Sequence, residues 1–291
     1  MTSSISRFLV TGANGQLGRL VIASLLKQVD RAAIVAFVRD AAKATDLAAL
    51  GIEVREGDYT RPDTLDDAIA GVDRVLLISS SELGRRTAQH RNVIEASARA
   101  SVNRLVYTSL LHADTSTLGL AEEHRQTEAL LRTAGVPFVI LRNGWYTENY
   151  AASIEPALAN GAFIGSAKEG LISSAARADY AEAAAIALTS GGTQTGAVYE
   201  LAGDDSYTLA QFAAEISRQS GKTIPYVDMS EAKFRAALIG AGLPEPVAAM
   251  LADSDAAAAN GALFDERRQL STLIGRPTTP LAFVVQAALP A

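Results

Sequence analysis

The chain has 291 residues, of which 48% are hydrophobic and 20% are charged, so it is long enough to bury the core of one large or two modest domains. The net charge of −6 argues against sequence-independent binding to nucleic acid, and the absence of cysteine excludes disulfides, thiolate catalysis and cysteine-ligated metals. With only three histidines we expect no metal site. The chain has no signal-peptide pattern and no apolar run of the roughly 18 residues that span a bilayer, so we expect a cytoplasmic protein that does not enter the membrane.

A strand, a tight turn and a helix are predicted at the start of the chain. Residues 8–10 form an apolar run, Gly12, Gly15 and Gly18 follow, and a helix is predicted at 20–26. Glycine permits positive φ and lets a ligand approach the backbone, and the N–H groups of a helix N-terminus suit a pyrophosphate. The spacing is Gly-x-x-Gly-x-x-Gly rather than the commoner Gly-x-Gly-x-x-Gly, so the alternative is a tight turn that binds nothing.

Strands and helices then alternate as far as residue 141. The further predicted strands are 33–38, 52–55, 75–78, 105–109 and 138–141, and the helices between them are 43–50, 62–70, 85–100 and 120–133. This alternation indicates an α/β fold with a parallel, doubly wound sheet of the Rossmann type, whose ligands bind at the carboxyl ends of the strands. The residues predicted at those ends are Gly12, Arg39, Asp58, Tyr59, Ser79, Ser80, Ser81, Ser109 and Asn143. Because these residues are polar or glycine, their placement favours a dinucleotide site.

The alternation is lost beyond residue 150. Helices are predicted at 179–188, 209–220, 230–241 and 245–259, with one late strand at 198–201. We therefore expect a dinucleotide-binding domain at 1–150 and a smaller, mostly helical lobe at 151–291 on the substrate side. Some segments of that second half are expected to return to the sheet.

Arg39 ends the second predicted strand and indicates which dinucleotide binds. An acid at this position usually accepts hydrogen bonds from the ribose of NAD, whereas an arginine can pair with the 2′-phosphate of NADP. Asp40 is its neighbour in the sequence, and a solvated charge at a strand end is the alternative. The interpretation favours NADP.

The Ser79–Ser81 turn follows the fourth strand. Its hydroxyls and backbone N–H groups can donate along a cofactor, although a serine-rich turn is often only a loop.

His124 and Glu128 are four residues apart and therefore share one face of the helix after the fifth strand. A histidine can donate a proton near neutral pH, so His124 is the candidate catalytic acid. The alternative is a surface pair on a charged helix. His90 and His112 are interpreted as structural residues.

The segment 142–150 follows the sixth strand and contains the only tryptophan of the chain. Trp145 and Tyr146 can stack on a flat ring while polar groups such as Asn149 orient it, which predicts a substrate site. Packing between two lobes is the alternative.

Several stretches together resemble the NmrA-like group of atypical short-chain dehydrogenase/reductases, and within it the bacterial quinone reductases and the triphenylmethane-dye reductases. The stretches are VTGANGQLG at 10–18, LISSSE at 77–82, YTSLLHADT at 107–115, LRNGWY at 141–146, RADY at 177–180 and MLADSD at 250–255. They are spread over nearly the full length. The glycine motif is generic to the superfamily, whereas SLLH and NGWY are specific to this branch.

The resemblance implies that NADPH is the cofactor and that a quinone is the hydride acceptor. The residues that it assigns to NADPH are Gly12, Ala13, Asn14, Gly15, Gln16, Leu17, Arg39, Ser79, Ser80, Ser81, Asn143, Gly144, Trp145, Tyr146 and Arg177. Asn14 departs mildly from the threonine expected there. The tyrosine and lysine that catalyse proton transfer in typical members of the superfamily are replaced by His124 and Glu128.

A quinone acceptor is compatible with the loss of this proton donor, because hydride addition to a quinone gives a delocalised hydroquinone anion that solvent can protonate. Reduction of triphenylmethane dyes and redox sensing without turnover remain as alternatives.

Overall fold

The structure is a computed structural model that describes residues 6–191 and 195–290. Its strands are β1 (Phe8–Val10), β2 (Ile34–Val38), β3 (Glu53–Glu56), β4 (Arg74–Leu77), β5 (Arg104–Leu110), β6 (Phe138–Asn143), β7 (Phe163–Gly165), β8 (Ala197–Leu201) and β9 (Tyr226–Asp228). Seven strands form one sheet in the order β3-β2-β1-β4-β5-β6-β8, and β7 pairs with β9 separately. The β1–β2, β2–β3, β1–β4 and β4–β5 pairs are parallel, so the predicted doubly wound α/β fold is confirmed.

The strand order reverses direction at β1. The chain runs outward from β1 through β2 to β3 and then returns to β4 on the other side of β1. Connections that leave β1 and β4 in opposite directions open a crevice beyond their carboxyl ends, which is where dinucleotides bind in this fold. Strands β1, β2 and β5 are buried along their whole length, as expected when helices cover both faces of a parallel sheet.

Thirteen α-helices lie in the described part of the chain. They are α1 (Gln16–Leu25), α2 (Thr45–Ala49), α3 (Pro62–Ile69), α4 (Arg86–Arg99), α5 (Ala121–Thr133), α6 (Thr147–Ala151), α7 (Ile154–Asn160), α8 (Arg177–Thr189), α9 (Leu209–Ser220), α10 (Glu231–Gly240), α11 (Glu245–Ala258), α12 (Gln269–Ile274) and α13 (Leu281–Ala288). The prediction missed β7, β9, α6, α7, α12 and α13, because elements of three to eight residues carry little periodicity. None of the helices in residues 6–191 and 195–290 is long and apolar enough to cross a bilayer.

The chain divides into two compact units that alternate along the sequence. The first unit comprises Met1–Leu110, Glu122–Arg142 and Tyr180–Tyr199, and the second comprises Leu111–Ala121, Asn143–Asp179 and Glu200–Ala291. Strand β8 is the edge strand of the main sheet although it lies late in the sequence. The predicted division at residue 150 into a cofactor domain and a substrate lobe stays a prediction.

Candidate cofactor site

The turn after β1 requires glycine at specific positions. Gly12 has φ of +58°, a left-handed conformation that residues with a Cβ seldom adopt. A Cβ at Gly18 would lie 2.3 Å from the carbonyl oxygen of Gly12, and one at Gly15 would lie 3.1 Å from the same oxygen. The turn therefore excludes a side chain at Gly18 and crowds one at Gly15, while the exposed backbone of Gly15 is accessible to a ligand.

Helix α1 begins at Gln16, four residues earlier than predicted, with Gly15 as its extended N-cap. Within residues 6–191 and 195–290 no side chain caps its first N–H groups, and its first turn contains no acidic residue. These donors and the positive end of the helix dipole remain available to an anion. Asn14 is held at the edge of the turn because its side-chain oxygen accepts a hydrogen bond of 3.3 Å from Arg19.

Arg39 follows β2 and extends into solvent, with 71% of its side chain exposed. Its guanidinium Nη1 lies 3.1 Å from Oε1 of Glu82. The neighbouring Asp40 instead accepts a hydrogen bond of 3.0 Å from the backbone N–H of Ala42 and caps a short 3₁₀ turn. The predicted helix 43–50 is thus a 3₁₀ turn followed by α2, and Asp40 is occupied in starting it.

Asp58 and Tyr59 lie after β3, and Tyr59 links the ends of two other strands. The Tyr59 hydroxyl contacts Oγ1 of Thr11 and lies 3.1 Å from the carbonyl oxygen of Ile78, so it links the ends of β1 and β4. Burial raises the pKa of Tyr59. Asp58 accepts hydrogen bonds from the backbone N–H and the hydroxyl of Thr60, which hold its pKa below the usual value. Direct cofactor contact by Asp58 and Tyr59 stays a prediction.

The Ser79–Ser81 turn is held by its backbone. Ser79 N–H donates to Oγ1 of Thr108 at 2.9 Å, and Ser80 N–H donates to Nε2 of His90 at 2.9 Å. Arg86 Nε donates to the Ser80 carbonyl at 2.7 Å. Within the described residues, the Ser79 and Ser81 hydroxyls make no hydrogen bond, so both can bind a ligand.

His90 is a neutral acceptor in this arrangement. Because Nε2 accepts from Ser80, the ring proton must be on Nδ1, which lies 2.9 Å from Oγ1 of Thr127. Burial and the nearby Arg86 lower the pKa of His90 to about 3. The structural role expected for His90 is consistent with these contacts.

Glu128 lies in a buried ion pair, and His124 is buried as well, so the alternative interpretation of these two residues as a surface pair is wrong. Glu128 is 1% exposed, and its carboxylate accepts from Nε and Nη2 of Arg142 at 2.9 and 2.8 Å. Ser109 Oγ also donates to it at 2.7 Å. Burial opposes the charge, but the bonds from Arg142 and Ser109 hold the pKa of Glu128 below its usual value. The Ser109 hydroxyl is thereby occupied, and its predicted cofactor contact stays a prediction.

His124 is 5% exposed and contacts another buried side chain. Its Nδ1 lies 2.7 Å from the hydroxyl of Tyr107. Burial, then Arg86 and His90, lower the pKa of His124 well below its usual value, so the ring is neutral near pH 7. The candidate acid therefore lacks the proton that an imidazolium would supply.

In the second unit, Asn143, Tyr146 and Arg177 form a polar cluster. Asn143 Nδ2 donates to the Tyr146 hydroxyl at 3.4 Å, and the Arg177 guanidinium lies 4.8 Å from the centre of the Tyr146 ring. Arg177 Nη2 also donates to Oδ1 of Asn149 at 3.3 Å. Trp145, which precedes Tyr146 in the chain, is buried. The Asn143 side-chain oxygen is buried with no hydrogen-bond partner in the described residues. Such an acceptor is costly to leave unpaired and suits a ligand amide.

Sequence reasoning gave no role to two acids that contact predicted site residues. Glu82 pairs with Arg39, and the Glu148 carboxylate accepts the backbone N–H of Arg177 at 2.9 and 3.0 Å. No pattern marked them, because each contact joins residues distant in sequence.

The residues present fit a phosphorylated dinucleotide. Gly12 and Gly15 expose their backbone at the turn, α1 presents N–H groups without a side-chain cap in the described residues, and Arg39 supplies a cation at the end of β2. Among the described residues, no group of three or more His, Asp or Glu side chains could hold a metal ion.

Comparisons with known proteins point the same way. A family model described as NAD(P)H-binding matches residues 12–190. Quinone oxidoreductase 2 of Escherichia coli (strain K12) is 56% identical over 273 residues, which cover 94% of this chain and 95% of that protein. The crystal structure of an NADPH-dependent quinone oxidoreductase from Escherichia coli complexed with NADPH has a TM-score of 0.94 and 55% identity, covering 96% of this chain and 99% of the other. The Citrobacter sp. triphenylmethane reductase complexed with NADP(H) has a TM-score of 0.93 and 37% identity, with 97% and 100% covered.

Proposed function

We propose a function from one premise: the chain belongs to the NAD(P)H-binding family and shares more than half of its residues with a quinone oxidoreductase over nearly the whole length of both proteins. It is an NADPH-dependent oxidoreductase that reduces quinones. That full-length similarity is the observation that carries the proposal. The glycine turn, Arg39 and the neutral His124 are consistent with it.

The cofactor-binding residues are assigned by their chemistry. The backbone of Gly12, Ala13, Asn14, Gly15, Gln16 and Leu17 would hold the pyrophosphate, and Arg39 would pair with the 2′-phosphate. Ser79, Ser80 and Ser81 would donate to the cofactor from the turn after β4. When bound, NADPH supplies the hydride.

The residues that follow β6, together with Arg177, are assigned next. The buried side-chain oxygen of Asn143 would accept an N–H of the nicotinamide amide. Trp145, Tyr146 and Asn149 would bind and orient the flat acceptor ring, with Arg177 fixing Tyr146 and Asn149. Gly144, whose backbone N–H donates to the carbonyl oxygen of Leu201 at 2.7 Å, is included among the cofactor-binding residues because of its position after β6.

No residue is assigned as a proton donor. His124 is neutral and in contact with Tyr107, and Glu128 is an ionised partner of Arg142. A reduced quinone spreads its negative charge over the ring and can take its proton from solvent, so binding and orientation supply most of the catalysis.

The direct test is the loss of NADPH absorbance with and without a simple quinone, using the purified full-length chain. Quinone-dependent oxidation supports the proposal, and a parallel assay with a triphenylmethane dye measures the other acceptor class. Tight NADPH binding without oxidation of any acceptor would contradict it and indicate a redox sensor.

A further inference from the structure

Glu82 forms the one ion pair found for Arg39 in the described part of the chain. Oε1 of Glu82 lies 3.1 Å from Nη1 of Arg39, and Oε2 accepts a hydrogen bond of 2.9 Å from Nε2 of Gln89. Gln89 is a buried residue of α4, and its hydrogen bond fixes the position of the carboxylate. The backbone N–H of Glu82 also donates to Oγ of Ser80 at 3.1 Å. Glu82 is therefore fixed at both its backbone and its carboxylate.

The other acids near Arg39 have different partners. Asp40 accepts from the N–H of Ala42, and Asp58 accepts from the N–H and hydroxyl of Thr60. Among the described residues, Glu82 is thus the acid in ion-pair contact with the guanidinium, while Asp58 interacts with Arg39 only through the charge attraction that helps to lower its pKa. A 2′-phosphate that pairs with Arg39 must either displace this carboxylate or lie beside it, and like charges at such distances repel.

We infer that Glu82 is a specificity-determining residue that competes with the cofactor's 2′-phosphate for Arg39 and so limits the preference for NADPH over NADH. The inference rests on the proposed function, because it requires that Arg39 bind the phosphate. NADH has a hydroxyl at this position and meets no such repulsion, so Glu82 acts on one cofactor and leaves the other nearly unaffected.

The test is a comparison of dissociation constants for NADPH and NADH, measured by calorimetry in the absence of any acceptor. We expect Glu82→Gln to bind NADPH about two- to tenfold more tightly, with NADH affinity changed by less than about twofold, since the pair is partly exposed. The gain should shrink near 1 M salt, where the Debye length is about 3 Å.

Asp66→Asn is the matched control, because it removes the same charge from an exposed pair, that of Asp66 with Arg99, on α3 and α4. It should change neither affinity. The double variant Arg39→Ala with Glu82→Gln should gain less NADPH affinity over Arg39→Ala than Glu82→Gln gains over the wild type, because only the direct repulsion between carboxylate and phosphate is left to remove.

Two results would overturn the inference while leaving the proposed function intact. One is an unchanged NADPH affinity in Glu82→Gln. The other is a weaker NADPH affinity, which would show that Glu82 holds Arg39 in position for the phosphate instead of competing with it. Failure of the wild-type chain to bind either cofactor would overturn both.

Discussion

The guanidinium of Arg142, at the end of β6, donates two hydrogen bonds to the carboxylate of Glu128 on α5, and both side chains are buried. The pair lies within the first compact unit and joins the sheet to one of its covering helices. Arg132 adds a third donor to the same carboxylate at 3.0 Å. Breaking such a pair leaves a buried charge without its partner, which is far more costly than losing an exposed pair.

Glu128→Ala should therefore lower the free energy of unfolding by about 3–5 kcal/mol. Urea denaturation followed by circular dichroism measures the loss. Asp66→Ala, which removes an exposed partner of Arg99, should cost less than about 1 kcal/mol. Equal losses in the two variants would contradict a stabilising role for the buried pair.

The same carboxylate should make the fold sensitive to acid. The folded pKa of Glu128 lies below its unfolded value of about 4.3, so its contribution is complete above that pH and is lost as pH falls toward the folded pKa. Unfolding free energies of the wild type and Glu128→Gln, measured from pH 6 down to about pH 3, should converge as the pH falls. A constant difference would show that the pair does not titrate with folding.

Asp255 in the second unit should have the opposite pH dependence. Burial raises its pKa to about 6, although Tyr150 and the backbone N–H of Ser166 both donate to its carboxylate. The folded state then holds a proton more tightly than the unfolded state, so stability decreases as pH rises from about 4 to 6. Asp255→Asn should remove this slope. If both proteins show the same slope between these pH values, Asp255 is not its source.

Arg39→Ala should weaken NADPH binding roughly ten- to a hundredfold, because a charge-assisted pair with the 2′-phosphate is lost. NADH binding should be almost unchanged. Calorimetric titration of both cofactors measures the ratio, and Arg61→Ala, which removes another exposed arginine near β3, is the matched control. Equal NADPH affinity in wild type and Arg39→Ala would exclude Arg39 as the phosphate ligand.

Gly15→Val should bind NADPH poorly while still unfolding cooperatively. The Cβ of the new side chain would lie 3.1 Å from the carbonyl oxygen of Gly12, so the turn must shift slightly, and its methyl groups would occupy the exposed surface where the pyrophosphate is expected. Gly240→Val is the control, since a Cβ at Gly240 meets no atom within 4 Å. Unchanged cofactor affinity in a folded Gly15→Val protein would mean that the turn has only a structural role.

His124→Ala should retain quinone turnover within about tenfold, because the proposed reaction needs no proton from His124. Loss of a general acid would typically lower the rate 10²- to 10⁴-fold. His124→Gln gives a second variant in case the cavity left by alanine destabilises the fold. The pH profile is an independent measurement, since an essential imidazolium would make turnover fall as pH rises through its pKa. A fall that is present in the wild type and absent in both variants would make His124 the acid.

The sequence predicted the sheet well because parallel strands buried on both faces are continuous apolar runs, such as β2 and β5. The starts of helices were harder to predict. The start of helix α1 at Gln16, within the glycine motif, was not predicted, because a helix start without a capping side chain has no recognisable sequence pattern.

Candidate site residues could be placed from the sequence only where they directly follow a predicted strand. Arg39 follows β2 and the Ser79–Ser81 turn follows β4, so both could be placed at the carboxyl end of the sheet. The partners of Glu128 and His124 depend on contacts between distant segments, so their i, i+4 spacing could not distinguish a surface pair from a buried one. Glu82 was missed for the same reason.

The interleaving of the two units has a consequence for synthesis on the ribosome. The first unit needs Tyr180–Tyr199, so its sheet cannot be completed until about two-thirds of the chain has been made. Until β8 arrives, the exposed edge of β6 is an unpaired strand that can join other chains. Nascent chains in which β8 has not yet left the ribosome should therefore depend on chaperones, whereas chains in which Ala197–Leu201 has emerged can close the edge with their own strand.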